Sequence, residues 1–288
     1  KIKYSAYLEL AKPSILKLVL VTTALGYFLA KNEFSGFLIL FYTLIGTALA
    51  CGGAGALNHY IERDLDSKMK RTACRPIPSG LIAPNDALAF GILLVIFGTA
   101  FLVWQVNLLT GFLALMTAFL YVFVYTPLKR ITWLNTFIGA IPGAIPPMGG
   151  WAAATGGLEL GAWALFLILF VWQHPHFFAI AWMYRDDYKK AGFKMLPSID
   201  EDGTRTFKQI IYYSVLLIPV SLLPTFLGLT SFVYAIGALI IGVLLLITGF
   251  EVSRLRTTKA AGKLLRGTVI YLPILFVLII LDFALIKT

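Results

Sequence analysis

The sequence predicts an all-α fold, a polytopic membrane bundle of about nine transmembrane helices, and three observations carry that expectation. Of 288 residues, 59% are hydrophobic and 13% charged, about half the charged share of a soluble domain. Apolar runs of about 20 residues recur from end to end, each long enough to cross a hydrocarbon core of roughly 30 Å as a helix. These runs also lack the two-residue alternation that marks the strands of a membrane barrel.

The chain opens on Tyr4 to Lys12, a short amphipathic stretch suited to lying on the membrane surface. Spans are expected near 14–31, 36–57, 87–104, 107–125, 133–154, 161–184, 208–228, 231–250 and 267–286. Very short turns join the third span to the fourth and the seventh to the eighth, so each pair is an antiparallel hairpin. Gly139, Pro142, Gly143, Pro146, Pro147, Gly149 and Gly150 make the fifth span kinked and thin, suited to close packing or to a cavity wall. Long polar connections follow the second and sixth spans. A separation of four helices points to two four-helix halves plus a ninth helix, a repeat of the kind that places a site between halves. All of 1–288 is read as one membrane domain.

Counting cations sets the orientation. Lys1, Lys3, Lys12 and Lys17, the cations of the loops after spans 2, 4 and 6, and those after span 8 together make 22 of the 24 Lys and Arg. Lys31 and Lys287 are left for the other face. The positive-inside rule then places the N-terminus in the cytoplasm, or the equivalent inner compartment, and, for an odd number of spans, the C-terminus outside; the membrane expected is a prokaryotic (inner) cell membrane. The same bias accounts for the net charge of +10 without a nucleic-acid partner. Cys51 falls in a span and Cys74 in an inner loop, so neither a disulfide nor a thiolate metal site is expected.

Function is sought on the inner side, where both charge signs concentrate. If span 2 continues as a helix past the surface, Asn58, Glu62 and Asp66 are spaced by four and share a face, advancing only ~40° each. Asp64 points away. Two carboxylates and an amide oxygen in line are hard ligands suited to Mg²⁺, which takes further ligands from water and substrate phosphates. The plain alternative is a solvated helix end with ion pairs. At the inner end of span 6, Asp186 and Asp187 repeat the pattern of carboxylates followed by cations. Opposed across a cavity, two such clusters can hold metal ions that bridge a diphosphate and stabilise it as a leaving group. Within span 6, His174-Pro-His176 lies about 10 residues, or roughly 15 Å, from the inner end. Imidazoles at that depth imply an intramembrane role unless they only bind neighbouring helices, and Pro175 should kink the helix. His176 and Asp187, eleven residues apart, lie on nearly the same face.

Asn58-x-x-x-Glu62-x-x-x-Asp66 with Lys70-Arg71 and Arg75-Pro-x-Pro-Ser-Gly80 resembles the first aspartate-rich motif of the UbiA superfamily of intramembrane prenyltransferases, and Tyr184-Arg185-Asp186-Asp187 resembles its second. Tyr125-Thr-Pro-Leu-Lys129-Arg130, the Gly-Ala-Ile-Pro-Pro run and Trp172-Gln-His-Pro-His176 are similar to the heme-farnesylating branch of that superfamily. The chain departs from the common pattern at His59, Glu62 and Tyr184, where other members carry Asp.

The resemblance implies farnesyl transfer from farnesyl diphosphate to a vinyl group of heme B, with water capture giving heme O. It implies Asn58, Glu62, Asp66, Asp186 and Asp187 as ligands of Mg²⁺, one ion or two. Lys70, Arg71, Arg75, Lys129, Arg130 and Lys189 are implied as diphosphate-binding cations. His176, and after it His174, would contact heme. Other partners expected are membrane lipid and, from the pathway, a downstream heme-modifying enzyme or oxidase assembly factors. Two other readings remain: prenylation of an aromatic quinone precursor, and membrane transport.

Overall fold

The computed structural model describes residues 4–31 and 36–286, the last four of these by their backbone alone. Lys1, Lys3 and Lys287, used above for orientation, lie outside the described residues. A surface helix α1 (Tyr4–Leu10) precedes α2 (Pro13–Lys31), α3 (Phe37–Asp66), α4 (Pro84–Gln105) and α5 (Leu108–Leu128). Then come α6 (Asn135–Ala144), α7 (Pro146–Thr155), α8 (Leu160–Met183), a short α9 (Arg185–Lys190), α10 (Thr204–Ser221), α11 (Phe232–Leu255) and α12 (Thr258–Ile286). No strand occurs among the described residues.

Eight of these segments are long and apolar enough to span a membrane. The fifth expected span, 133–154, differs: it is two ten-residue helices, α6 and α7, meeting at Ile145. The reason is chemical. Pro146 and Pro147 remove two consecutive backbone donors, so the ladder cannot pass through Ile145. The pair still crosses the bundle. Lys194 N, in the segment that follows α8 and α9, donates to Lys129 O at 2.7 Å, placing that segment beside the end of α5. Trp151, midway along α7, meanwhile hydrogen-bonds Glu159 at the start of α8. Residues 130–158 must therefore return along the length of α8, 24 residues or about 36 Å. Helix α8 runs through Pro175 as a single helix.

Helix α8 is the central post. In its most apolar window 67% of residues are buried, against 22% for the peripheral α4. It packs against α6, α10 and α12, while α3 packs on α4 and α10 on α11. The turn between α4 and α5 is closed by Asn107, whose side chain caps α5 through Thr110 N at 2.8 Å. Bare aromatic side chains such as Trp104 and Phe232 stand at helix ends, where membrane-interface belts place them. The tightest contact joins α2 to α7. A Cβ at Gly26 would lie 2.0 Å from the Pro147 oxygen, and one at Gly150 1.8 Å from the Thr23 oxygen, so only glycine fits either place.

Candidate active site

Helix α3 continues nine residues past its expected membrane run, and this extension carries the first motif. Asn58, Glu62 and Asp66 are 0%, 5% and 1% exposed, whereas the Asp64 side chain is 82% exposed. The four-residue spacing has turned three oxygen carriers inward and Asp64 out. Buried carboxylates need partners, and each has one. Lys129 Nζ pairs with Glu62 Oε1 at 2.7 Å, and one Arg75 nitrogen reaches both Asp66 oxygens at 2.8 and 2.6 Å. Asn58 Oδ1 accepts from Lys12 Nζ, which also reaches the Tyr121 hydroxyl at 3.0 Å. The Asn58 amide nitrogen donates to Thr126 Oγ1 at 2.9 Å.

The local structure of α5 makes this possible. Leu120–Tyr125 is a π-helical turn, so Thr126 donates through both its backbone nitrogen and its hydroxyl to the Tyr121 carbonyl, five residues back. Such bulges recur at functional sites because they re-aim a face. Here Tyr121, Tyr125 and Thr126 all meet the site, with the Lys129 ammonium 4.6 Å from the Tyr125 ring centroid. Burial alone would lower the Lys129 pKa, but the adjacent Glu62 carboxylate outweighs it and holds the group above the usual lysine range. At Lys12 burial wins over Glu62, and the ammonium is pushed down to about 7.

The second motif sits at the same end. Tyr188 of α9 and Ala191, Phe193 and Met195 just beyond it pack with Leu65 and Met69 at the end of α3. Arg71 bridges the two motifs, donating to the Tyr188 hydroxyl at 3.2 Å with its guanidinium 5.1 Å from the Tyr184 ring. Asp186 is exposed and Asp187 half-buried. Among the described residues, no three His, Cys, Asp or Glu side chains converge as a ready metal cluster. The donor set nevertheless suits Mg²⁺: hard oxygens in line, two of them anionic, with Asp186 and Asp187 across a packed seam. Of the cations singled out by sequence, Arg75 and Lys129 are in the site and Arg71 at its edge. Lys70 and Arg130 are exposed, and Lys189 turns away to Glu201 at 3.6 Å. Sequence reasoning missed Lys12, Tyr121 and Thr126. The signal available for Lys12 was its place at the mouth of the first span, level with both motifs.

Residues 19–278 match the UbiA prenyltransferase family. The chain belongs to that family. It is 47% identical over 285 residues, covering 96% of this chain and 98% of the other, to the protoheme IX farnesyltransferase of Solibacter usitatus (strain Ellin6076). The enzyme so named from Salinibacter ruber (strain DSM 13855 / M31) is 44% identical over 276 residues, with 96% and 98% covered. Among solved structures, a digeranylgeranylglyceryl phosphate synthase superposes with a TM-score of 0.81 at 20% identity, covering 97% of this chain and 98% of that one. A UbiA homolog from Archaeoglobus fulgidus bound to GPP and Mg²⁺ gives 0.71 at 16% identity, covering 95% and 99%. At these identities the likeness is one of fold.

In this UbiA prenyltransferase the two imidazoles of α8 leave the helix on different sides. His174 is buried, stacked 3.7 Å from the Tyr213 ring of α10, with Nδ1 2.7 Å from Phe170 O. It lines a groove of about 340 Å³ with Trp133, Phe137 and Tyr212, and its Nε2 has no hydrogen-bond partner. His176 is half-buried and faces α12, its Nδ1 2.9 Å from Thr268 Oγ1. The Thr268 hydroxyl proton is already given to Leu265 O at 2.7 Å. His176 Nδ1 must therefore be the donor, which leaves Nε2 as its lone-pair nitrogen.

Proposed function

We propose that this prenyltransferase moves the farnesyl group of farnesyl diphosphate onto a vinyl group of heme B, and that water completes heme O. The observation that carries the reading is the near-complete, 47% identical match to a protoheme IX farnesyltransferase; the geometry of the site agrees with it. Asn58, Glu62, Asp66, Asp186 and Asp187 would hold Mg²⁺, which when bound neutralises the diphosphate and makes it a better leaving group. Arg75 and Lys129 already stand at the carboxylates and would turn to the diphosphate once the carboxylates are engaged. Arg71 closes the seam toward α9, while Lys70 and Arg130 would contribute from the rim, and Lys189 only on leaving Glu201.

As the C–O bond breaks, positive charge spreads over the allyl unit. The Tyr121 and Tyr125 rings lie beside the motif, and each aromatic face turned to a cation is worth ~0.5–2 kcal/mol. The vinyl π-bond attacks the terminal carbon of that cation. The charge left next to the porphyrin is captured by water, which gives up a proton to leave a hydroxyl. His176 is the group proposed to face the iron. Its Nε2 carries the lone pair, and Thr268 holds the ring from the far nitrogen, as supporting hydrogen bonds do for histidine ligands generally. His174 is braced on Tyr213 instead. The inner face of the bundle is proposed to be cytoplasmic.

Transport fits less well, because the charged groups gather at one end of the bundle and not at mid-depth. A phenolic acceptor would give His176 no task. The test is to incubate purified protein with heme B, farnesyl diphosphate and Mg²⁺ and look for the mass of heme O; its absence sinks the reading. In heme-loaded protein, His176→Ala should shift the Soret band and weaken heme binding, while His174→Ala should lower thermal stability more than it alters the spectrum. The opposite pattern would hand the iron to His174.

A further inference from the structure

We propose that Lys12 binds the diphosphate of the prenyl donor, carried into the site by the surface helix α1. The inference rests on the prenyl-transfer reading above and adds to it a residue from outside both motifs.

Three features bring the Lys12 ammonium to Asn58. Its backbone has φ of +53°, one of two positive values outside glycine among the described residues. A side chain adopts this region at a cost, and the following Pro13 discourages helical conformations further. Such strain persists where the surroundings impose it, and it gathers at functional sites. The surroundings are visible. Leu10 is fully buried in a small cluster with Ala6, Ala56 and Ile77, which holds α1 down. The junction between α1 and α2 then lies directly on α3, where a Cβ at Gly55 would come within 3.0 Å of Leu10 O.

The decisive point is charge. Three cations meet the three oxygen carriers of the motif, but only two of those are anions. Lys129 has Glu62 and Arg75 has Asp66, whereas Lys12 has an amide oxygen and a phenol. Among the described residues no carboxylate lies within ion-pair distance of Lys12. A half-buried ammonium hydrogen-bonded only to neutral oxygens is under-compensated, and an anion entering beside Asn58 would complete it. A diphosphate supplies that anion.

The probe is farnesyl S-thiolodiphosphate, whose sulfur bridge resists ionisation, titrated calorimetrically with Mg²⁺ into the full chain in lipid nanodiscs. Farnesol serves as the control ligand. Lys12→Gly is the informative variant, since glycine takes positive φ freely. It should keep or raise the unfolding temperature and yet bind the analogue at least about 10-fold more weakly, as expected for a lost charge-assisted hydrogen bond. Lys12→Gln should lose as much, Lys12→Arg should recover to within about 3-fold, and farnesol affinity should not change. Analogue affinity at the original level in Lys12→Gly or in Lys12→Gln overturns the assignment, as does an equal loss for farnesol. If the unaltered protein binds no analogue, the prenyl-transfer reading itself falls, and this role with it.

Discussion

The two acidic motifs lie at the same end of the bundle and are built in opposite ways. The first rides on a 30-residue helix, is almost wholly buried, and has a cationic side chain at every member. The second rides on a six-residue helix with one carboxylate exposed and the other half-buried. Burial explains the contrast. Carboxylates taken out of water must be neutralised by the protein itself, which fixes their geometry before any ligand arrives. Those left in water need no partner and stay free to be recruited. The first motif is thus part of the fold, and the second contributes little to it.

That contrast can be broken most easily at Glu62. Glu62→Ala should abolish turnover and also destabilise the protein by about 3 kcal/mol, because it strands the Lys129 ammonium in a buried place. Denaturation in detergent beside the heme O assay checks both, and an inactive variant of unchanged stability would mean that Lys129 finds water. Next in size, Asp187→Ala should cut turnover severely while stability moves by no more than about 0.5 kcal/mol, as for surface positions generally. A large fall in stability would erase the distinction between the motifs. Smallest should be Asp64→Ala, which sits between two buried motif residues yet points to solvent. Activity within about 2-fold of normal is expected for so exposed a position, and a loss like that of Asp66→Ala would show that the face of α3 is not what selects the ligands.

Much of this was legible from local spacing. The i, i+4 pattern announced both the extension of α3 and its buried face, because a helix converts sequence distance into angle without outside help. The hairpins were equally legible, since short turns leave no other packing. The break at Ile145 was half legible. Proline and glycine density announced a weakened span, but hydropathy over 133–154 is the same for a bent helix as for two stacked halves. What spacing could not reveal was pairing. Glu62 and Lys129 are 67 residues apart, and the sequence ranked Lys129 no higher than Lys189, which spends its charge on Glu201. Lys12 was read as part of a surface stretch for the same reason: its place depends on how close α1 comes to α3, and no periodicity encodes that approach.

The broken crossing is anchored separately in its two halves. Helix α7 is locked backbone to backbone against α2 through Gly26 and Gly150, while α6 is tied to α8, where Gln173 donates to Ala140 O at 3.1 Å. Each half of one span thus has its own tightest anchor, although Trp151 also joins α7 to the start of α8 through Glu159. Between them lie Pro146 and Pro147, with no donor to lose. The chain therefore breaks its helix at Ile145 without stranding a backbone donor, through the same prolines that elsewhere in a helix would count as defects.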